Sequence, residues 1–154
     1  MSSNVAEEYL RCMYVPTVGG GLVLPIDMVA EVVAYSEPTA GMANDWYLGD
    51  IPWRGQALPL VSVELAALGE RPDIGVKARI AVLQGLANFD RLPFWGVVTE
   101  SAPTMVLVSD STARWRNNSA KLPPFVLAEV DVGERAAWIP NFDELEEHLE
   151  RMLL

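Results

Sequence analysis

Short apolar runs of strand length, separated by glycine, proline and small polar residues, follow one another through most of the chain. Each run is shorter than an average helix, and several alternate apolar with polar residues, which is typical of half-buried strands. We count about ten such runs in two successive groups, followed by a single amphipathic segment. This succession predicts an all-β protein made of small barrels, since a parallel sheet would require helices between its strands.

The first group of predicted strands opens with a hairpin. Its members are 9–15, 21–26, 27–35 and the run around Leu58. Three glycines beginning at Gly19 supply the first turn, and no Lys-Ser or Lys-Thr pair follows them, so they do not match a phosphate-binding loop. In the third strand, alternation places Val29, Glu31 and Val33 on one face.

The second group of predicted strands is followed by the helix. Its members are 77–86, 93–100, 104–108, 125–132 and 135–139. Asn141 can cap the helix with Glu144 at the third helical position, and Glu147 and Arg151 form an i, i+4 pair. The residues that recur on one helical face are Phe142, Leu145, Leu149 and Met152.

Three segments read as connections. Residues 36–44 lack periodicity, and 109–124 is the longest polar segment, which predicts a surface loop. Residues 65–75 contain glycine, proline and charged side chains, so they are interpreted as a polar linker and a subdomain boundary.

The stretch 45–64 contains the residues that stand out most, including a Trp-Arg-Gly-Gln turn before an apolar run. Gly55 can adopt a positive φ without a steric penalty, so we expect a sharp turn that holds Arg54 at the rim of a sheet. The guanidinium is suited to binding a carboxylate or carbonyl groups across an interface. Pro59 cannot donate to a ladder, which predicts an edge strand or a strand start.

Composition excludes several classes of protein. About half of the residues are apolar (51%), as in ordinary globular chains, and the net charge of −10 argues against nucleic acid or an anionic membrane as a partner. The N-terminus lacks the features of a signal peptide, and no apolar stretch is long enough to span a membrane. Cys12 is the sole cysteine, which precludes an intrachain disulfide and favours a reducing compartment such as the cytoplasm. We expect it to be a buried, inert thiol.

The sequence offers few parts for catalysis. His148 is the only histidine and lies among glutamates, so we expect it to be a solvated surface residue. The neighbouring Glu146 and Glu147 are likewise expected on a solvated face. With one histidine and one cysteine, we expect no metal site, and no nucleotide fingerprint predicts a cofactor.

What remains is interaction chemistry. Trp46, Tyr47 and Trp53 lie near Arg54, and these residue types are enriched at binding hot spots. The alternative is that the tryptophans are core residues, because large aromatics usually bury most of their surface. We expect the core for each tryptophan taken singly and an interface for Arg54.

The pattern resembles a known family at this point. A V-x-E segment followed by G-x-x-x-x-R-G-x-x-x-P is similar to the first half of the CheW-like coupling domain, and the runs KARIAVLQ, LPFWGVVTES and FVLAEVDVGERAAWIP are similar to the second half. The residues that match the motif are Val29, Glu31, Val32, Gly49, Arg54, Gly55 and Pro59.

The resemblance implies a single domain over 5–154 made of two intertwined five-stranded barrels resembling SH3 domains, with approximate subdomains 24–75 and 76–140. It also implies a non-catalytic cytoplasmic adaptor between the tip of a methyl-accepting chemoreceptor and the regulatory domain of the histidine kinase CheA. The residues that would form the protein-binding site are Val29, Glu31, Trp53, Arg54 and Gly55. The W-R-G and L-P-L-V-S-x-E segments resemble those of ChpC-type adaptors of type IV pilus chemosensory clusters, which implies twitching motility or a related output.

A second hypothesis comes from another class of function. A β-barrel that binds a small molecule, or acts on one, could use Arg54 and the nearby tryptophans to hold an anionic ligand. Recovery of a receptor or kinase partner would favour the adaptor, whereas a rise in melting temperature with a ligand would favour the second hypothesis.

Overall fold

A computed structural model of the protein describes residues 8–39, 45–87, 89–116 and 122–153. These ranges contain eleven strands and two α-helices, so the prediction of a mostly β protein is confirmed. The strands are β1 (Leu10–Thr17), β2 (Gly20–Pro25), β3 (Val29–Ala34), β4 (Tyr47–Trp53), β5 (Gln56–Val61), β6 (Arg79–Gln84), β7 (Phe94–Thr99), β8 (Thr104–Val108), β9 (Ala113–Trp115), β10 (Val126–Val132) and β11 (Arg135–Pro140). The helices are α1 (Val63–Leu68) and α2 (Phe142–Leu153).

The strands form two sheets, each the wall of a small SH3-like barrel. The first sheet has six strands in the order β8-β1-β2-β11-β10-β9, and the second has five in the order β3-β6-β7-β5-β4. Neighbours pair antiparallel except β2 with β11 and β5 with β7, which are parallel. One barrel therefore has one strand more than the five expected.

The chain enters the two sheets in a nested order. It contributes β1 and β2 to the six-stranded sheet, crosses through a short 3-10 turn at Ile26–Met28, and then supplies all five strands of the other sheet. It returns to the six-stranded sheet with β8. Strands on both sides of the predicted boundary near residue 75 pair within one sheet, and the boundary itself stays a prediction.

Buried side chains form three clusters. One fills the five-stranded barrel and includes Trp53 and Leu58, and a second fills the six-stranded barrel and includes Cys12 and Val130. The largest lies between the sheets, where α2 contributes apolar residues such as Leu145. Burial of this shared surface couples the two barrels, because the apolar area removed from water there depends on both.

The amphipathic C-terminal helix is confirmed in detail. Asn141 Oδ1 accepts a hydrogen bond from the Glu144 backbone N–H at 3.2 Å, and its amide nitrogen donates to the Glu144 carboxylate at 3.3 Å. The predicted i, i+4 pair joins Arg151 to Glu147 at 2.6 Å. Local capping signals thus place the start of α2 where the structure has it.

The interpretation of 65–75 as a polar linker is wrong for its first residues, which belong to α1. This helix begins after Ser62, whose hydroxyl accepts from the Leu65 backbone N–H at 3.1 Å, and ends at Gly69 in a left-handed conformation with φ 71°. A helix of six residues is too short to show a clear apolar period, so only its cap signals were available.

The prediction of a surface loop over 109–124 is corrected by β9, a strand of three residues. It pairs antiparallel with β10, where Val130 lies opposite Trp115. Residues 117–121 of the segment, and 40–44 of the earlier connector, lie outside the described residues.

The expectation for Pro59 is also wrong, since β5 lies between β7 and β4 and Pro59 is in its middle. Pro59 stands opposite Asp50 of β4, whereas the pairing with β7 involves only Leu60 and Val61. The proline thus precedes the residues that pair with β7, so its missing N–H does not interrupt the parallel ladder formed by Leu60 and Val61.

Candidate protein-binding site

The β4–β5 hairpin presents Arg54 at its turn. Trp53 pairs with Gln56, so Arg54 and Gly55 form a two-residue loop, with φ of 46° and 75°. Two successive positive φ values are characteristic of a type I′ turn, whose twist matches that of the flanking strands. The positive φ predicted for Gly55 is confirmed, and Arg54 shares the left-handed conformation, which the sequence did not indicate.

The Arg54 side chain is exposed but held in place. Its Nη2 donates to Glu31 Oε1 at 3.0 Å, and its guanidinium carbon lies 4.6 Å from the centre of the Trp53 ring. The side chain is 63% exposed and that of Glu31 is 41% exposed. An ion pair this accessible adds little to folding stability. Its effect is to fix the direction in which the guanidinium points.

Glu31 organises the other half of the site. The same Oε1 atom that pairs with Arg54 also accepts from Trp53 Nε1 at 3.1 Å. On β3, Val29 pairs with Leu83 while Glu31 pairs with its neighbour Val82, so β3 contains a bulge. The bulge breaks the alternation.

The prediction that Val29, Glu31 and Val33 share one face is therefore wrong. Val29 packs against the cluster between the sheets, whereas Val33 packs against the cluster of the five-stranded barrel. Val29 is half-buried at the start of β3 and precedes Glu31 by two residues in the chain.

The tryptophans near the turn are core residues, as expected for each taken singly. Trp53 is 6% exposed, Trp46 is 3% exposed and packs edge-on against Phe125, and Tyr47 is fully buried. The exposed group at the turn is therefore the Arg54 guanidinium, which packs on the buried ring of Trp53. The sequence did not reveal that Phe94 packs on Trp53 with ring centres 4.9 Å apart.

The expectation for Cys12 is confirmed, whereas the expectation for His148 is wrong. Cys12 is 2% exposed and burial raises the pKa of its thiol, which confirms an inert cysteine. His148 is half-buried rather than solvated, because its ring packs edge-on against Phe125 with centres 5.1 Å apart.

The expectation that Glu146 is solvated is wrong, since it is 1% exposed. Its carboxylate accepts the backbone N–H of Leu86 at 2.8 Å and that of Ala87 at 3.0 Å. Burial raises the pKa of Glu146, and the N–H groups of Ala87 and Leu86 oppose this rise by stabilising the charged form.

Glu64 is a second buried carboxylate, 2% exposed, at the start of α1. It accepts the backbone N–H of Val18 at 3.1 Å and the hydroxyl of Ser62 at 2.8 Å. Burial raises its pKa, and these hydrogen bonds act in the opposite direction. Both carboxylates hold remote backbone segments, which is a structural role.

The described residues show no group of three or more His, Cys, Asp or Glu side chains placed to hold a metal ion. They also contain no helix with the length and apolar character needed to cross a bilayer.

An apolar cavity of about 430 Å³ opens into the six-stranded barrel. Its wall includes Cys12, Val23 and Val130, together with Trp115, which is 71% exposed. Neither Arg54 nor Trp53 lines it, so it does not combine the parts that the small-molecule hypothesis requires.

The fold defines a class, the all-β domains in which two SH3-like barrels pack against each other. The solved structure of the scaffolding protein TtCheW from Thermoanaerobacter tengcongensis has this fold, with a TM-score of 0.70 and 13% sequence identity over 91% of this chain and 89% of that one. No curated protein matches the sequence significantly.

The sequence also matches the model of the CheW-like domain over residues 12–150. The chain therefore belongs to the CheW-like domain family, whose members are non-catalytic adaptors in chemotaxis.

Proposed function

We propose that this protein is a cytoplasmic adaptor that couples the tip of a methyl-accepting chemoreceptor to the regulatory domain of a CheA-type histidine kinase. The observation that supports it best is the exposed, oriented guanidinium of Arg54 at the β4–β5 turn. Family membership supplies the class of partners. In this proposal, the receptor contacts a surface that includes Val29, Glu31 and Arg54.

The geometry suits recognition of another polypeptide. A guanidinium has five N–H donors, and the bond to Glu31 uses one nitrogen of the group, which leaves further donors directed toward a partner. Because Trp53 and Glu31 already restrict the side chain, binding loses less rotamer entropy than it would with a mobile arginine. The partner chemistry that fits is a carboxylate or a set of carbonyl groups beside an apolar side chain.

The remaining residues of the proposed site support Arg54 indirectly. Gly55 allows the turn, and Trp53 provides the ring beneath the guanidinium while remaining buried. We further propose a ChpC-type output through type IV pili, on the likeness of the W-R-G and L-P-L-V-S-x-E segments.

Arg54→Glu tests the receptor contact. We expect it to weaken binding of a chemoreceptor tip fragment by about 2 kcal/mol, which is about 30-fold in Kd, because the charge reversal opposes the partner carboxylate. Isothermal titration calorimetry measures Kd, and urea unfolding checks that the fold is intact.

Arg71→Glu provides the matched control. Arg71 is exposed and lines a depression with Tyr35 and Leu48, near the end of β3 and the start of β4 and so away from the β4–β5 turn. The same change of charge there should leave Kd within about twofold, since exposed sites away from an interface are near neutral. Unchanged binding by Arg54→Glu, in a folded protein that binds as wild type, would refute the proposed contact.

A further inference from the structure

The loop between β6 and β7 lies at the same end of the five-stranded barrel as Arg54. The strand register shows this, because Glu31 pairs with Val82 near the end of β6. Gln84, the last residue of β6, pairs with Phe94, the first residue of β7. β5 begins directly after the Arg54 turn and runs parallel to β7, so both start at this end.

A continuous series of ring contacts links the loop to Arg54. The Phe89 ring lies 5.9 Å from that of Phe94, and Phe94 lies 4.9 Å from Trp53, over which Arg54 is stacked. Phe89 is 53% exposed and Leu86 is also 53% exposed. Two large apolar side chains thus stand in water on a hairpin loop, beside a side chain already oriented for binding. Phenylalanine and arginine are both enriched at protein interfaces, and Leu86 adds apolar area to the same loop.

The loop is anchored to the terminal helix rather than left to solvent. Glu146 of α2 accepts the N–H groups of Leu86 and Ala87, and it reaches them from about 60 residues away in the chain. The loop also closes tightly at its base, where the Gly85 N–H donates to the Pro93 carbonyl at 2.9 Å. A charged acceptor forms stronger hydrogen bonds than a neutral one, so this anchor holds the backbone that presents Leu86.

We propose that Leu86 and Phe89 form the apolar half of the receptor-binding surface and that Glu146 positions Leu86 by holding its backbone. This inference rests on the proposed function. The partner segment carries an apolar side chain that packs on Phe89 and Leu86, next to an acidic or carbonyl group that binds Arg54. Their shared position at one end of the barrel supports one surface, because Phe89 and the guanidinium are the exposed ends of a ring series whose middle members, Phe94 and Trp53, are half-buried and buried. The exposed apolar residues account for affinity, and the guanidinium accounts for orientation.

The first test is Phe89→Ala, with binding of the chemoreceptor tip fragment measured by calorimetry. We expect Kd to rise at least tenfold, because an aromatic anchor loses its contact area. Leu86→Ala should raise Kd about fivefold, in keeping with a smaller apolar contact at an interface. The matched control is Leu127→Ala on β10 of the other sheet, where the leucine is 60% exposed; it should leave Kd unchanged.

The second test separates positioning by Glu146 from a general loss of stability. Glu146→Ala should speed hydrogen exchange at the Leu86 and Ala87 amides, because both lose their acceptor, and should raise Kd. In a double-mutant cycle, Glu146→Ala should weaken binding much less when Leu86 is already alanine, since Glu146 acts by holding the Leu86 backbone. Lowered thermal stability with wild-type Kd below the melting temperature would show that Glu146 is only structural.

The outcomes distinguish this inference from the proposed function. Weak binding by Arg54→Glu together with wild-type binding by Phe89→Ala and Leu86→Ala would overturn the inference alone. Wild-type binding by all three would overturn both. An equal loss of affinity in Leu127→Ala would also overturn the inference, because the effect would then not belong to this surface.

Discussion

Glu64 joins the two barrels through a single buried carboxylate, and its removal is the sharpest test of how they are held together. The residue is the second of α1, which follows β5 of the five-stranded sheet after Ser62. Its Oε2 accepts the N–H of Val18 in the turn between β1 and β2, which belong to the six-stranded sheet. The two residues are 46 positions apart in the chain.

We expect Glu64→Ala to lower the free energy of unfolding by about 3 kcal/mol. The Ser62 hydroxyl is fully buried and loses its acceptor, which costs about 1–3 kcal/mol, and the half-buried Val18 N–H adds about 1 kcal/mol. The void left by the side chain adds about 1 kcal/mol, and relief of the buried charge offsets part of the sum. For a domain of this size, the loss corresponds to a fall in Tm of about 6–12 °C.

Glu64→Gln isolates the ionisation of the carboxyl group. Burial raises the pKa of Glu64 above its ordinary value of 4.5, so the folded protein holds this proton more tightly than the unfolded chain does. The resulting stabilisation is complete below pH 4.5 and is lost as pH rises through the raised pKa. Relative to the glutamine variant, the wild type should therefore lose stability across this window, by at most about 1.4 kcal/mol per pH unit.

Urea unfolding followed by tryptophan fluorescence, repeated from pH 4 to pH 7.5, gives both results. Glu70→Ala is the control, because Glu70 is exposed just after α1 and its removal changes the charge equally. It should alter the free energy of unfolding by no more than about 0.5 kcal/mol. If Glu64→Ala were as stable as this control, the side chain of Glu64 would not be joining the barrels. Parallel pH profiles of wild type and Glu64→Gln would instead refute the raised pKa of Glu64.

Two glycine substitutions test the backbone at the proposed binding end. Gly55→Val should lower the free energy of unfolding by about 1–3 kcal/mol. The loss comes from the positive φ alone, because no atom lies within 4 Å of the position that a Cβ would take. Gly55→Asn should cost clearly less, since asparagine tolerates the left-handed conformation, and equal unfolding midpoints in urea for the two variants would contradict the turn. Gly85→Ala places a Cβ 1.8 Å from the Leu92 carbonyl oxygen, so we expect the free energy of unfolding to fall by more than about 2 kcal/mol. The control is Gly75→Ala, which meets open space and should be neutral or slightly stabilising. Similar thermal melts for the two alanine variants would rule out the tight loop base.

Local signals made much of the fold predictable. The hairpin over β1 and β2, the pairing of β6 with β7 and the cap of α2 each depend on neighbouring residues, and each is confirmed. The short elements α1 and β9 were not predicted. They have six and three residues, which are too few to show the hydrophobic periodicity of a helix or a strand. Their formation depends on caps and on pairing with distant strands.

The candidate site was predictable only in part. The turn at Gly55 follows from the conformational freedom of glycine, and it carries Arg54 to the surface. Glu31 accepts hydrogen bonds from Trp53 and Arg54, which follow it by 22 and 23 residues in the chain. These contacts depend on the β3 bulge and on how β3 and the β4–β5 hairpin are arranged in the sheet, which the sequence pattern does not specify. The burial of Glu146 likewise depends on a loop about 60 residues earlier, so an isolated run of glutamates could only be read as solvated.

The nested course of the chain sets an order in which the protein can be made. All five strands of one barrel have left the ribosome once Thr99 has emerged, while the other barrel still lacks the strands that close beside β2. β1 gains its neighbour β8 once Val108 is synthesised, whereas β2 lacks its neighbour β11 until Pro140 is synthesised. A nascent chain that stalls just after Thr99 would carry one complete set of five strands and an isolated two-stranded hairpin, which is marginally stable in water. A chain that stalls between Val108 and Arg135 would still expose the open edge of β2, which a chaperone would have to shield.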